Sequence, residues 1–230
     1  MFERAHHRRI ASVLNAFDAE LLERVHCFFG GGTAIVLALN EYRESADIDF
    51  LCSDRDGYRE LRQAISAPTL GALLRTPIKH VRDVRTERDK ISTYLEVDDI
   101  PIKVEFVLEA RIDIAGAIDA SLGVPVLSRD DMYAEKILAN ADRGLDRSVM
   151  SRDLIDLAMM IQGWGPIPET AWNKTFDAYG PAVYEQFDKG LALLSKSEHL
   201  KKCMAAMSIN PALSKVILDT LTEHRPRTVG

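Results

Sequence analysis

Three consecutive glycines and a threonine, Gly30-Gly31-Gly32-Thr33, separate a short β-prone run at residues 25–29 from a helical run at 34–40. Strand, glycine turn and helix in that order bring free backbone N–H groups and the positive end of a helix dipole to one point, and glycine lets an anion approach the backbone closely. Thr33 stands where its hydroxyl would meet a phosphate oxygen. After a polar connection at 41–46, a second apolar strand at 48–52 starts from Asp47-Ile48-Asp49. Residues two apart on a strand project from one face, so these carboxylates repel each other unless a cation lies between them. Hard oxygen ligands beside a phosphate-binding turn suit Mg²⁺, with the phosphates of a nucleotide completing its shell. Alone, a triple glycine is a tight turn and Asp-x-Asp a strand end; their order is what points to chemistry.

A third carboxylate fits the same scheme. Residues 90–97 alternate (Ile91, Thr93, Leu95, Val97), Asp98-Asp99 marks a turn, and 100–108 alternate again. Ile102, Val104 and Phe106 then share one face and Lys103, Glu105 and Val107 the other. A carboxylate in mid-strand is costly to bury unless it meets a metal or a base. Beside the Asp47–Asp49 strand, Glu105 completes a cluster of three; otherwise Lys103 and Glu105 face solvent on a half-exposed strand. Just upstream, Lys79, His80, Arg82, Arg85, Arg88 and Lys90 form a basic run diluted by Asp83, Glu87 and Asp89. It reads either as a phosphate-contacting rim for RNA or as a solvated surface. Strict alternation sets Lys79 away from His80 and Arg82.

Periodicity divides the chain near residue 126. Residues 8–25 read as one amphipathic helix (Ile10, Val13, Leu14, Phe17, Leu21, Leu22), preceded by a mobile, solvated His6-His7-Arg8-Arg9, and Ser53 or Asp54 caps a helix over 55–66. Strands dominate the rest of an α/β half, 1–126. The remainder, 127–230, reads as helices, the first two at 129–142 and 151–162, with breaks at Gly163-Trp164-Gly165-Pro166, Gly180-Pro181, 195–197 and Asn210-Pro211. Lys136, Asn140 and Arg143 fall at i, i+4 and i+7 on one helix, a platform for a triphosphate or an RNA backbone. The second helix is mostly apolar, with Met159-Met160 as plain core. Its charges Arg152, Asp153 and Asp156 therefore sit in a cleft or pair with one another. For Asp156, catalysis and a structural Arg–Asp network joining the two halves remain equally open.

Gly31-Gly32-Thr33 followed by Tyr42-Arg43-Glu44-Ser45-Ala46-Asp47-Ile48-Asp49-Phe50 resembles the first motif of the polymerase-β-like nucleotidyltransferases. More narrowly it is similar to the AbiEii/AbiGii toxin branch, with its Arg-x-Ser-x-Asp-hydrophobic-Asp run. Tyr133-Ala134-Glu135-Lys136-Ile137-Leu138-Ala139, then Asp142-Arg143 and Arg152-Asp153-Leu154-Ile155-Asp156-Leu157, are similar to that branch's second signature, so the resemblance spans about residues 26–160. It implies an α+β fold: a polymerase-β-like core, a small mixed sheet with flanking helices, followed by a C-terminal helical domain. It also implies Mg²⁺-dependent transfer of a nucleoside monophosphate from an NTP, with a two-metal site, by a toxin that acts on tRNA 3′ ends and is restrained by a cognate antitoxin. Carried over by position, Asp47, Asp49 and Glu105 are metal ligands and are catalytic together with Lys136 and Asp153. Gly31, Gly32, Thr33, Arg43, Ser45, Lys136 and Arg143 bind the nucleotide. The chain departs from the family's usual Gly-Ser by carrying Gly-Gly-Thr, and it carries Glu105 where many members have Asp, setting the metal about one methylene further out.

Composition narrows the field. With 230 residues, 47% hydrophobic and 28% charged, the chain is an ordinary soluble protein, and its net charge of −6 argues against bulk-charge binding of duplex DNA. Cys27, Cys52 and Cys203 are odd in number and lack metal spacing, which points to a reducing cytoplasm; neither a signal peptide nor an apolar run long enough for a membrane helix is visible. HExxH and GxSxG motifs are absent. Two other readings stay open: an aminoglycoside-type small-molecule nucleotidyltransferase, mildly favoured by the acidic balance, and a non-catalytic nucleotide-binding module.

Overall fold

Alternating apolar residues build a seven-stranded mixed sheet: β1 (Cys27–Gly30), β2 (Ile48–Cys52), β3 (Lys79–Thr86), β4 (Lys90–Val97), β5 (Ile100–Leu108), β6 (Gly116–Asp119) and β7 (Val124–Leu127), in the order β3-β4-β5-β2-β1-β7-β6. The computed structural model describes residues 2–226. It divides into two compact units, Met1–Leu37 with Ser45–Ser128, and Ala38–Glu44 with Arg129–Gly230. The second unit thus takes in a short piece of chain from between the glycine turn and Asp47. An α+β architecture is what the sequence implies, and it is what the chain adopts.

In the first unit β3, β4 and β5 form an antiparallel meander, β5 runs parallel to β2, and β2 is antiparallel to β1. Phe29, Phe50 and Phe106 are successive register partners on the inner face. Phe50 and Phe106 stack at 5.0 Å and Phe17 meets both edge-on, an arrangement that adds to burial because ring edges and faces carry opposite partial charge. Helices α1 (Ala5–Leu14), α2 (Ala19–Arg24), α3 (Gly31–Ala38) and α4 (Arg55–Ala64) complete this part of the chain.

Residues 8–25 are not one helix. The apolar periodicity is real, since Ile10, Val13, Leu14, Phe17, Leu21 and Leu22 are all buried, but the backbone leaves the helix at Asn15. The Ala16 carbonyl accepts from Arg75 N–H, Asp18 N–H donates to the Leu73 carbonyl, and the Asp18 carboxylate caps α2 by accepting from Leu21 N–H at 2.8 Å. A side-chain cap and two long-range backbone bonds outweigh continued helix there. Nor are His6 and His7 a solvated start: both lie in α1, and His7 is buried.

The basic strand also departs from simple alternation. Register shifts at two places in β3 leave Lys79 opposite Glu96, Arg82 opposite Tyr94 and Arg85 opposite Ser92. Extra residues at such bulges re-aim the side chains that follow, so Lys79 and Arg82 share a face that strict alternation denies them.

The second unit is helical: α5 (Arg129–Arg143), α6 (Arg152–Trp164), α7 (Glu169–Tyr179), α8 (Ala182–Leu194), α9 (Ser197–Ala206) and α10 (Ser214–Glu223). Helix α6 runs past Gly163 to Trp164 and stops at Gly165, whose φ of +103° only glycine adopts readily. Among the described residues no helix is long and apolar enough to cross a membrane.

Candidate active site

Asp49 lies between Gly30 of β1 and Glu105 of β5 as direct register partner of both. The parallel β2–β5 pairing therefore sets Asp49 and Glu105 at neighbouring positions of the outer face. Gly31 follows at φ +69°, and a Cβ built on it would come 2.6 Å from Asp49 Oδ2. Glycine is needed twice over here: for the left-handed backbone, and because the Asp49 carboxylate fills the space a side chain would take. Gly31→Ala should cost about 1–3 kcal/mol from backbone strain alone and push Asp49 aside. Urea unfolding and transfer activity measured together check this, since both should fall.

Thr33 does not present its hydroxyl to an incoming phosphate. It is buried, donates to the Asp47 carbonyl and shares a 2.8 Å hydrogen bond with Ser45 Oγ. Ser45 N–H donates to His7 Nε2 at 3.3 Å, and His6 Nε2 donates to the Ala46 carbonyl at 3.1 Å. Thr33 and the two histidines thus fix the turn that delivers Asp47, which stands one residue ahead of β2 rather than on it. Sequence reasoning missed the histidines, although a signal existed: His7 is three residues before Ile10 and seven before Leu14, on the same buried face of α1.

Glu105 is tucked in. Its Oε2 accepts from Lys103 Nζ at 2.8 Å. Its Oε1 is buried without a hydrogen-bond donor, and Lys90 Nζ stands 3.3 Å away. Partial burial opposes charge on Lys103, but Glu105 and then Asp47 hold its ammonium above its ordinary pKa, so Lys103 occupies the electrostatic position of a cation between carboxylates. As the side chains stand, no group of three or more histidine, cysteine, aspartate or glutamate residues among those described is placed to hold a metal ion. The donor chemistry nevertheless suits a hard cation: all-oxygen ligands, a buried carboxylate oxygen that makes no hydrogen bond, and a glycine cradle against Asp49.

The second signature forms a separate charged cluster wholly inside the second unit. Asp156 is fully buried. Arg43 grips it with Nε–Oδ1 2.7 Å and Nη2–Oδ2 2.9 Å, Lys136 Nζ reaches Oδ2 at 2.6 Å, and Tyr42 donates its hydroxyl to Oδ1. Asp153 receives Lys136 at 3.0 Å and a two-nitrogen contact from Arg143. Arg43, expected to bind a nucleotide, is instead buried and closed on Asp156 and the Glu44 carbonyl. Nor is the Lys136–Asn140–Arg143 face an open platform. Lys136 is 7% exposed and Asn140 is packed against Gly144 and Gly190, while Arg143, at 39%, reaches solvent. The Arg43–Asp156 pair is the Arg–Asp network envisaged between residues 1–126 and 127–230, and it ties the 38–44 segment, which belongs to the second unit, to α5 and α6.

Burial pushes the Asp153 and Asp156 carboxyls up, but the flanking cations win. Lys136 and Arg143 hold Asp153 well below the usual carboxylate range, and Arg43 and Lys136 lower Asp156. A depressed folded-state pKa stabilises fully above the unfolded value of about 3.9 and progressively less as pH falls toward the folded one. The unfolding temperature should therefore hold steady above about pH 5 and drop as acid is added below about pH 4. Differential scanning calorimetry across that range checks this, and replacing Asp153 by Asn should flatten the slope.

Among proteins of curated function, none matches this chain. The family model of the nucleotidyl transferase AbiEii toxin, type IV toxin–antitoxin system, matches residues 13–220. The crystal structure of JHP933 from Helicobacter pylori superposes with a TM-score of 0.53 at 13% identity, over 95% of this chain and 90% of that one, a likeness of fold. Two further structures superpose more loosely. They are a putative nucleotidyltransferase from H. pylori (TM-score 0.45, 14% identity, 99% and 100% covered) and an antigenic nucleotidyltransferase-like protein from Paracoccidioides brasiliensis (0.45, 16%, 94% and 94%).

Proposed function

The chain belongs to the AbiEii nucleotidyltransferase toxin family, and from that premise we propose that this nucleotidyltransferase moves a nucleoside monophosphate from an NTP to the 3′ end of tRNA as the toxin of a toxin–antitoxin pair. The observation that carries the site assignment is the Gly30–Asp49–Glu105 row beside the left-handed Gly31 turn. Gly31 and Gly32, half-buried at the start of α3, offer N–H groups to the phosphates. Thr33, Ser45, His6 and His7 hold the turn that aims Asp47. Asp47, Asp49 and Glu105 would hold Mg²⁺, which supplies neutralisation of phosphate charge.

In the transfer itself the acceptor hydroxyl oxygen bonds to the α-phosphorus, the bond to the bridging oxygen breaks, and pyrophosphate leaves. The hydroxyl proton passes to a neighbouring base, a role open to Glu105. Lys103 and Lys90 hold the Glu105 side chain in place until it is engaged. In the second unit Asp153 holds Arg143, the partly exposed cation, while Lys136 and Arg43 hold the cluster together. We place the action in the cytoplasm and the cognate antitoxin as protein partner.

The acceptor is decided by incubating the protein with Mg²⁺, each NTP labelled at the α-phosphate, and either total tRNA or a panel of aminoglycosides. Label at the tRNA 3′ terminus is the expected result. Label on an aminoglycoside would transfer the same site to the small-molecule reading, and label on neither would favour a binding module.

A further inference from the structure

The bulges of β3 align two cross-strand rows on the outer face of the sheet. Arg85, Ser92, Glu105 and Asp49 are successive register partners across β3, β4, β5 and β2. At about 4.8 Å per strand, Arg85 lies about 14 Å from Asp49. The neighbouring row is Arg82, Tyr94 and Lys103, and Lys103 senses Asp47 electrostatically. Lys79 and Glu96 begin a third. Five cations, Lys79, Arg82, Arg85, Lys90 and Lys103, share this face with three carboxylates, Asp49, Glu96 and Glu105. Glu96 is paired to Lys79, and Glu105 is held by Lys90 and Lys103. Arg85 is 79% exposed and reaches Glu87 only at 3.8 Å, while Lys79 is 70% exposed. Asp83, in the bulged stretch, is exposed as well. In a chain of net charge −6, this is a local cationic excess that starts at the carboxylates and runs to the sheet edge.

One contact separates this face from an ordinary charged edge that merely discourages sheet-to-sheet pairing. The Arg82 guanidinium lies over the Tyr94 ring, 4.9 Å from its centroid. A planar cation layered on an aromatic ring is a platform for an unpaired base, and cations on either side take the phosphates of the same strand. Stacked bases need a single strand, because in a duplex they are already stacked on each other.

We infer that the outer face of β3, β4 and β5 is the acceptor track: single-stranded nucleic acid lies along it, with a base on the Arg82–Tyr94 stack, phosphates on Arg82 and Arg85, and its terminal hydroxyl delivered to Asp47, Asp49 and Glu105. The inference rests on reading those carboxylates as the transfer site. Occupation of the rows by a protein partner is the competing outcome.

The test is fluorescence anisotropy of an end-labelled single-stranded RNA of about 12 nucleotides with the full chain, without NTP, across a salt series. The parent binds, and its log affinity falls linearly with log salt. Arg82→Ala/Arg85→Ala weakens binding about tenfold or more at low salt and removes about 1.4 from the slope, the share of two phosphate contacts on a single strand. Tyr94→Leu weakens binding about fivefold or more and leaves the slope unchanged, because stacking carries no counterion. Asp49→Asn, which removes a negative charge, binds RNA at least as tightly as the parent. A parent protein that leaves the RNA free, as it would if the face receives a protein, overturns the inference; so does parent-like binding by both the double variant and Tyr94→Leu. The two readings fail separately. Unimpaired transfer by Asp49→Asn sinks the transfer site and not the track, whereas RNA binding indifferent to Arg82, Arg85 and Tyr94 sinks the track and not the transfer site.

Discussion

Asp49→Asn protein should transfer nucleotide about 10²–10³-fold more slowly than the parent while unfolding at the same temperature or a slightly higher one. The loss follows from removing one carboxylate from the set that would hold the cation neutralising the phosphates, where single groups are worth that much. The gain follows from the register. Asp49 and Glu105 stand directly opposite on neighbouring strands, and like charges so placed destabilise a sheet by roughly 0.2–1 kcal/mol. Lys103 and Lys90 offset part of that repulsion from the Glu105 side, so the expected rise is small. Asp47→Ala should match the loss of transfer without the gain, because Asp47 precedes β2 and is outside the ladder. Transfer of α-phosphate label and thermal unfolding on the same preparations check both halves.

Asp156→Ala should be the most destabilising single substitution in the second unit, at about 3–5 kcal/mol. The side chain is fully buried and accepts from Arg43, Lys136 and Tyr42. Removing it leaves the buried Arg43 guanidinium without a counter-charge and Lys136 with Asp153 alone, and that uncompensated charge rather than lost attraction sets the cost. Asp156→Leu should be about as severe, since restored packing does not neutralise the buried Arg43 guanidinium. Asp153→Ala should cost less, because Arg143 is partly exposed and can rehydrate. Asp56→Ala serves as the contrast: the Arg59 and Asp56 side chains are 70% and 82% exposed, so the change belongs among surface pairs worth about 0–1 kcal/mol. Urea midpoints of the four proteins give the ranking.

The site was legible in the sequence where its logic is local. The glycine turn announces itself because only glycine serves at Gly31, and the Asp47–Asp49 pair because two carboxylates so close need a reason. What joins them to Glu105 is the parallel β2–β5 pairing, a contact between segments more than fifty residues apart that no local period encodes. The bulges in β3 were hidden likewise: alternation counts residues and cannot see that an extra one is absorbed. Arg43 misled because a motif arginine beside a metal-binding run suggests phosphate, whereas its partner Asp156 lies on a helix far along the chain. Helix α1 was the converse case. Its apolar period was correct and its continuity was not, because Asp18 caps a new helix in mid-pattern.

The central claim is that Asp47, Asp49 and Glu105 together hold divalent cations beside the nucleotide. Electron paramagnetic resonance of Mn²⁺ titrated into the protein with a non-hydrolysable NTP tests it without relying on turnover. The parent should bind Mn²⁺, and Asp47→Ala, Asp49→Asn and Glu105→Gln should each weaken that binding by about tenfold or more. Three variants that take up Mn²⁺ as the parent does would contradict the account.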